Sequence, residues 1–484
     1  MKSSFVLIFA LAVSAFAGKE DSDPFVLKAS GPKPGHQKDG DAIRRWNQIS
    51  IDASGYDHAG PRQQLGPGRA SRALAIVHIA MFDVMNAVKG DYESYTGVLA
   101  AKGSVSTDIA VSQAAHDTLV ALFPAQAASF DAWLAEDLDR TKNKKAKANG
   151  VDLGRRAASA ILALKANDGS ESPEPLMGTG YIPSSLPGHW RQDPISLIPL
   201  ALGAHWGECV PFVLESGSQF RAPPYPALNT LEYAVAYDEV KRLGGDGVTT
   251  LTARTPEQTF IGIFWAYDGT PSLCAPPRLY NQITTTIADQ MKTDDLELAR
   301  LLALVNVSMA DAGMAIWDSK YYYDLWRPIG GIRESDPSPA GPGDGNAATE
   351  GETNWTPLGA PASNLTGPNF TPPFPAYPSG HAGFGGALFQ TLRRFYGTDR
   401  IPFTFVSDEF NGVTKDNNGN VRPYIPRRFN SLSHAEEENG QSRIYLGIHW
   451  SFDKTVGIAQ GRLVADYVFD NAFTPLRPRH KNSP

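Results

Sequence analysis

Between residues 69 and 89 apolar side chains fill nearly every face of a helix. Ala75, Val77, Ile79, Met81, Phe82, Val84 and Met85 leave no polar side. A helix that is apolar all round must be enclosed by other elements, and the chain supplies mainly more helices to do so. Helical patterns recur at 107–123, 125–164, 256–267, 279–291, 294–325, 379–396 and 436–446. The second of these runs through a charged segment, 137–147, that reads as a solvated face. Strand signals are weak, with the β-branched run at 248–251 as an exception, and no repeat of about 20 to 50 residues suggests a solenoid. The expected fold class is all-α: two packed helical bundles over 69–250 and 251–484, with long loops and little β. Residues 18–68, rich in Gly, Pro and Asp, read as an extended arm ahead of them.

With 484 residues, 42% of them hydrophobic, the chain can bury a sizeable core, which excludes disorder and a disulfide-knitted miniprotein. A balance of 44 Lys and Arg against 51 Asp and Glu has the wrong sign for a nucleic-acid binder. Any anion held by such a chain needs a local cluster of cations.

Lys2, an apolar run over 5–16 and Ala15-Phe16-Ala17 have the form of a signal peptide over 1–17, so a secreted or periplasmic protein is expected. The run is too short to span a bilayer, which takes about 20 residues. No later stretch reads as long and apolar enough, so no membrane span is expected. Cys209 and Cys274 allow one disulfide, and nothing in the sequence fixes their distance. Sequons at Asn306, Asn354, Asn364 and Asn369 are glycan sites only in a eukaryotic secretory pathway. His78 and His116 read as core or surface histidines, and the first half shows no chemistry of its own.

Three segments of the second half carry cations and imidazoles. Lys320 and Arg327 lie seven residues apart on one helix, within about 20 degrees of two full turns, so they point the same way; Pro328 ends that helix at Arg327. In Pro378-Ser379-Gly380-His381 a helix begins with a capping serine, a bare glycine and an imidazole, a setting whose free N–H groups suit an oxyanion. In Ser442-Arg443-Ile-Tyr-Leu-Gly447-Ile-His449 the imidazole stands six positions after the guanidinium. On a regular helix that is roughly 240 degrees beyond one turn, so the two converge only if Gly447 breaks the helix or they approach a ligand from different sides. Together the three segments suit an oxyanion with several terminal oxygens and not a bare divalent cation, which takes carboxylates or thiolates.

The triple pattern resembles the signature shared by vanadium-dependent haloperoxidases and the type 2 phosphatidic acid phosphatase superfamily. It is most similar to the chloroperoxidase branch, through Trp317-Asp-Ser-Lys320, Phe374-Pro-Ala-Tyr-Pro-Ser379 and Trp265-Ala-Tyr-Asp268-Gly. The resemblance covers roughly residues 250 to 470 with specific motifs. It implies a vanadate cofactor and no haem, with His449 as the vanadium ligand and Lys320, Arg327, Ser379, Gly380 and Arg443 on the equatorial oxygens. It further implies His381 as the acid–base group, Trp317 and Phe374 on the halide side, and Asp268 as the partner of Arg443. The implied reaction oxidises chloride or bromide with hydrogen peroxide to hypohalous acid, which reacts with a small organic acceptor. Two other functions fit the same residues: an acid phosphatase of the superfamily, since phosphate and vanadate are near-isosteric, and a secreted protein that binds an oxyanion without catalysis.

Overall fold

A computed structural model of the chain describes residues 41–476 other than 101 and 340. The expected leader, 1–17, and the start of the expected arm, 18–40, lie outside the described residues.

The described chain is all-α apart from one hairpin. Its first half holds α1 (Asp41–Ala59), α2 (Gly66–Lys89), α3 (Thr107–Leu122), α4 (Ala127–Arg140) and α5 (Lys144–Leu164). A long connection leads to α6 (Leu231–Gly244), α7 (Pro256–Phe264), α8 (Pro276–Met291), α9 (Asp295–Tyr323) and the short α10 (Pro328–Arg333). A second long connection leads to α11 (Gly380–Tyr396), an antiparallel hairpin of β1 (Phe403–Asn411) and β2 (Tyr424–Phe429), then α12 (Leu432–Tyr445) and α13 (Ser451–Asn471).

Four expectations are corrected. Residues 41–59 are helical, not an extended arm: Ile43, Trp46, Ile49 and Ala53 recur every three or four residues and are buried, while the polar residues between them hide the stripe from a hydropathy reading. The stretch 125–164 is two helices, because the Asn143 side chain accepts from Ala146 N at 3.1 Å and starts a new one. The charged segment is exposed over most of its length, as expected, but Asp137 is an exception: buried, it accepts from Trp46 Nε1 and Ser112 Oγ, each at 2.8 Å, and ties α1 to α3 and α4. The run 248–251 is a loop with Val248 and Leu251 exposed and Thr250 buried, and the only named strands among the described residues are the hairpin at 403–429.

The long helix α9 is the axis. Residues 298–317 are buried without interruption, with α2 on one side and α11 and α13 on the other, so one hydrophobic core draws on both halves of the chain. The expectation that no later stretch could span a bilayer fails by length and composition, since α2 and α9 both qualify. Their apolar windows are 89% and 100% buried, however, so other parts of this chain cover them.

Glycines set the spacing of the second bundle. A Cβ on Gly461 of α13 would overlap the backbone of Gly383 and Ala387 in α11, and one on Gly386 would fall 2.5 Å from the Ile458 carbonyl oxygen. Helix backbones in such contact cannot give way as a side chain can. Gly461→Val is therefore expected to cost about 3 kcal/mol in denaturant unfolding; a change under about 1 kcal/mol would mean that the seam is loose.

Cys209 and Cys274 are separate buried thiols, so no disulfide joins them. His78 and His116 are hydrogen-bonded inside the first bundle, as core histidines would be. Of the sequons, Asn306 is closed off in the core, and the side-chain amides of Asn364 and Asn369 donate to the carbonyls of Pro271 and Leu358; Asn354 is exposed.

Candidate active site

Helix ends bring the three segments together. Lys320 sits in the last turn of α9, but that helix stops at Tyr323 with Asp324 in the left-handed conformation. Arg327 therefore does not share the helix as expected and instead stands at the N-cap of α10, which Pro328 begins. Ser379, Gly380 and His381 open α11, and Arg443 lies in the last turn of α12. Arg327 has φ −76° and ψ 158°, the extended conformation that a following proline imposes. The Ser379 side chain accepts from Ala382 N, capping α11. Gly447, at φ 72°, turns the chain sharply after α12, and an added Cβ there would strike the Gly244 carbonyl. With α12 ended by that turn, Arg443 and His449 both reach one cleft.

The polar contacts are specific. Arg443 grips Asp268 with two hydrogen bonds, Nη2 to Oδ1 at 2.6 Å and Nη1 to Oδ2 at 3.1 Å. Arg327 donates through Nε to the Phe374 carbonyl at 2.8 Å and through Nη1 to the Ile448 carbonyl at 2.9 Å and to His449 Nε2 at 2.8 Å. A guanidinium only donates, so Nε2 of His449 carries the lone pair, and its Nδ1–H donates to Asp453 Oδ2 at 2.8 Å. Lys320 Nζ donates to the carbonyls of Pro375 and Ala376, each at 2.9 Å. His381 donates from Nε2 to the Ala266 carbonyl, and that nitrogen lies 3.9 Å from Asp268 Oδ1.

Three cations share this region with two carboxylates. Burial, reinforced by Arg327 and Arg443, holds the Lys320 ammonium well below the ordinary lysine range. Burial likewise lowers Arg327 to about 9 and, together with Arg443, His381 to about 3. His449 is driven well down by burial and then by Arg327 and Lys320, while burial pushes Asp453 up to about 7. Arg327 Nη2 and Arg443 Nε are buried with no hydrogen-bond partner. Donors left over around an unprotonated imidazole nitrogen suit a tetrahedral oxyanion such as vanadate, which supplies both acceptor oxygens and negative charge. Among the described residues no group of three or more His, Cys, Asp or Glu could hold a cation.

The cleft has a volume of about 760 Å³. Gly380, His381, Arg443, His449, Trp317 and Phe374 line its inner end. The Trp317 and Phe374 rings lie 4.9 Å apart, with Lys320 Nζ 5.2 Å and Arg327 Cζ 4.9 Å from the Phe374 centroid. Lys320, Arg327 and Ser379 stand behind this lining. Gly203, at φ 77°, leaves room for the indole to donate from Nε1 to the Leu202 carbonyl at 3.0 Å.

Sequence reasoning missed Asp453 and the whole outer cleft. Asp453 follows His449 by four residues, a spacing that could have flagged the pair. The outer cleft is built from α1 and the connections around 195–202 and 362–373, so the first half does reach the site.

Fold and pocket define a class: a helical protein with a buried cationic pocket at the end of its second bundle, open to a cleft. Residues 300–477 match the family model described as the VCPO second helical-bundle domain. The vanadium chloroperoxidase of Curvularia inaequalis is 31% identical over 492 residues, spanning 84% of this chain and 78% of that protein. Two crystal structures share the fold. A bacterial vanadium-dependent iodoperoxidase matches with TM-score 0.70 at 23% identity, over 90% of this chain and 96% of its own. An apo bacterial vanadium-dependent chloroperoxidase matches with TM-score 0.63 at 16% identity, over 84% and 94%. The chain belongs to the vanadium chloroperoxidase family of vanadium-dependent haloperoxidases and is an oxidoreductase.

Proposed function

We propose that this protein binds vanadate and uses hydrogen peroxide to oxidise halide to hypohalous acid, which passes to an organic acceptor, and that it acts outside the cytoplasm after loss of residues 1–17. The observation that carries the reading is the His449 arrangement: Nδ1–H fixed by Asp453, Nε2 turned to the pocket, and unpartnered buried donors on Arg327 and Arg443 beside it. Bound vanadate supplies Lewis-acid activation of peroxide with no change in its own oxidation state.

His449 holds the cofactor through Nε2, and Asp453 keeps that nitrogen unprotonated. Lys320, Arg327 and Arg443, with the Ser379 hydroxyl and the Gly380 N–H, hold its oxygens and stabilise charge that builds on oxygen. His381 donates to the Ala266 carbonyl from Nε2, leaving Nδ1 to take and return the peroxide proton. Trp317 and Phe374 shield the halide approach from water, while the cations behind them make it electropositive. Chloride, bromide and iodide are to be compared directly.

The test starts from metal-free protein. With vanadate added, peroxide-dependent halogenation is expected; phosphate-ester hydrolysis by the metal-free form would assign a phosphatase instead, and silence in both would leave oxyanion binding alone. His381→Ala is expected to bind vanadate within about threefold of wild type while kcat falls about 100-fold or more. Loss of vanadate affinity in step with kcat would make His381 a binding residue.

A further inference from the structure

The outer cleft is lined mainly by apolar side chains and carries a single exposed charged one. Ile195, Ile198, Leu200, Leu202, Leu365 and Phe370 give it apolar sides. Asp268 and Arg443, which also line it, form an ion pair and neutralise each other. Arg62 also lines the cleft, is exposed, and forms no ion pair among the described residues.

Its backbone is fixed at some cost. Arg62 has φ 57°, a left-handed conformation that non-glycine residues adopt rarely, and the turn is held by buried Asp57. The Asp57 carboxylate accepts from Gln63 N and Gln64 N, each at 2.8 Å, and its carbonyl accepts from Arg62 N at 2.9 Å. The backbone that carries the guanidinium is thus fixed at one edge of an apolar cleft whose inner end is the cationic pocket.

We infer that the cleft binds the organic acceptor itself, and that this acceptor is an amphiphilic carboxylate: an electron-rich apolar body in the cleft and an anionic group on Arg62. The inference rests on the haloperoxidase reading and names its substrate class. The step balances as acceptor C–H plus halide, hydrogen peroxide and one proton giving acceptor C–halogen and two waters. Two electrons pass from halide to the O–O bond, the new carbon–halogen bond replaces C–H, and the displaced proton goes to water. Binding the acceptor beside the point where oxidised halogen leaves lets transfer outcompete escape.

The experiment uses the full chain reconstituted with vanadate at fixed halide and peroxide, with 3-(4-hydroxyphenyl)propanoate and its neutral primary amide as acceptors. Wild type is expected to show a KM about tenfold lower for the carboxylate. Arg62→Gln should abolish that preference while leaving the amide KM, the halide KM and vanadate affinity within about twofold, and Arg62→Lys should restore part of it. Ile198→Asn should raise KM for both acceptors. Equal KM values in wild type, or an Arg62→Gln effect on halide KM instead, would overturn the inference. Halide oxidation without any acceptor reads the haloperoxidase activity separately, so its absence sinks the underlying reading and its presence with equal KM values sinks this one alone.

Discussion

Replacing His449 with alanine is expected to weaken vanadate binding by more than about 100-fold, since even residues that only orient a metal ligand are worth 10- to 100-fold. Equilibrium dialysis of the purified full chain measures this without relying on turnover. The substitution removes the one unprotonated nitrogen held toward the pocket and leaves Arg327 Nη1 without one of its acceptors and Asp453 without its imidazole donor. Asp453→Asn should give a smaller loss, about 10-fold, because the ring stays while the group fixing its tautomer changes. Unaltered vanadate affinity in His449→Ala would remove His449 from the proposed ligand set.

Asp268→Ala is expected to destabilise the protein by about 3 to 5 kcal/mol, the usual result of stripping one partner from a buried ion pair. Both side chains are almost wholly buried, and Arg443 would lose its ion-pair partner while still sharing the pocket with Lys320 and Arg327. Denaturant unfolding of the vanadate-free protein measures the loss. Adding vanadate should restore part of it, because a ligand that binds only the folded state stabilises by mass action and this one brings negative charge. Asp268→Asn, which keeps an acceptor oxygen, should cost less. A loss under about 1 kcal/mol in Asp268→Ala would show that Arg443 finds water or another acceptor.

How far the sequence could be read depended on where each signal resides. Helices α2 and α9 announce themselves because burial on every side demands apolar residues on every side. Lys320, Arg327, His381, Arg443 and His449 could be picked out as one cluster because each stands at or near a helix end, where a proline, a capping serine or a glycine marks the boundary. Helix α13 was missed for a physical reason: Gly457 and Gly461 pack backbone to backbone against α11, so close approach replaces the apolar stripe that a periodicity search seeks. The Ala266 carbonyl beneath His381 is a main-chain acceptor that any residue could supply, and no residue type marks it. The cleft walls lie in irregular segments rich in proline, whose meeting is a property of the tertiary fold alone.

That division of labour has a consequence for divergence within this architecture. The cationic pocket hangs from the ends of rigid helices locked by glycine contacts, whereas the cleft walls belong to connections that can lengthen, shorten or exchange side chains at little cost to the core. On the acceptor site inferred above, preference would drift through residues such as Ile198 and Leu365 while the proposed vanadate site at His449 stays fixed, giving one chain two independent rates of evolutionary change.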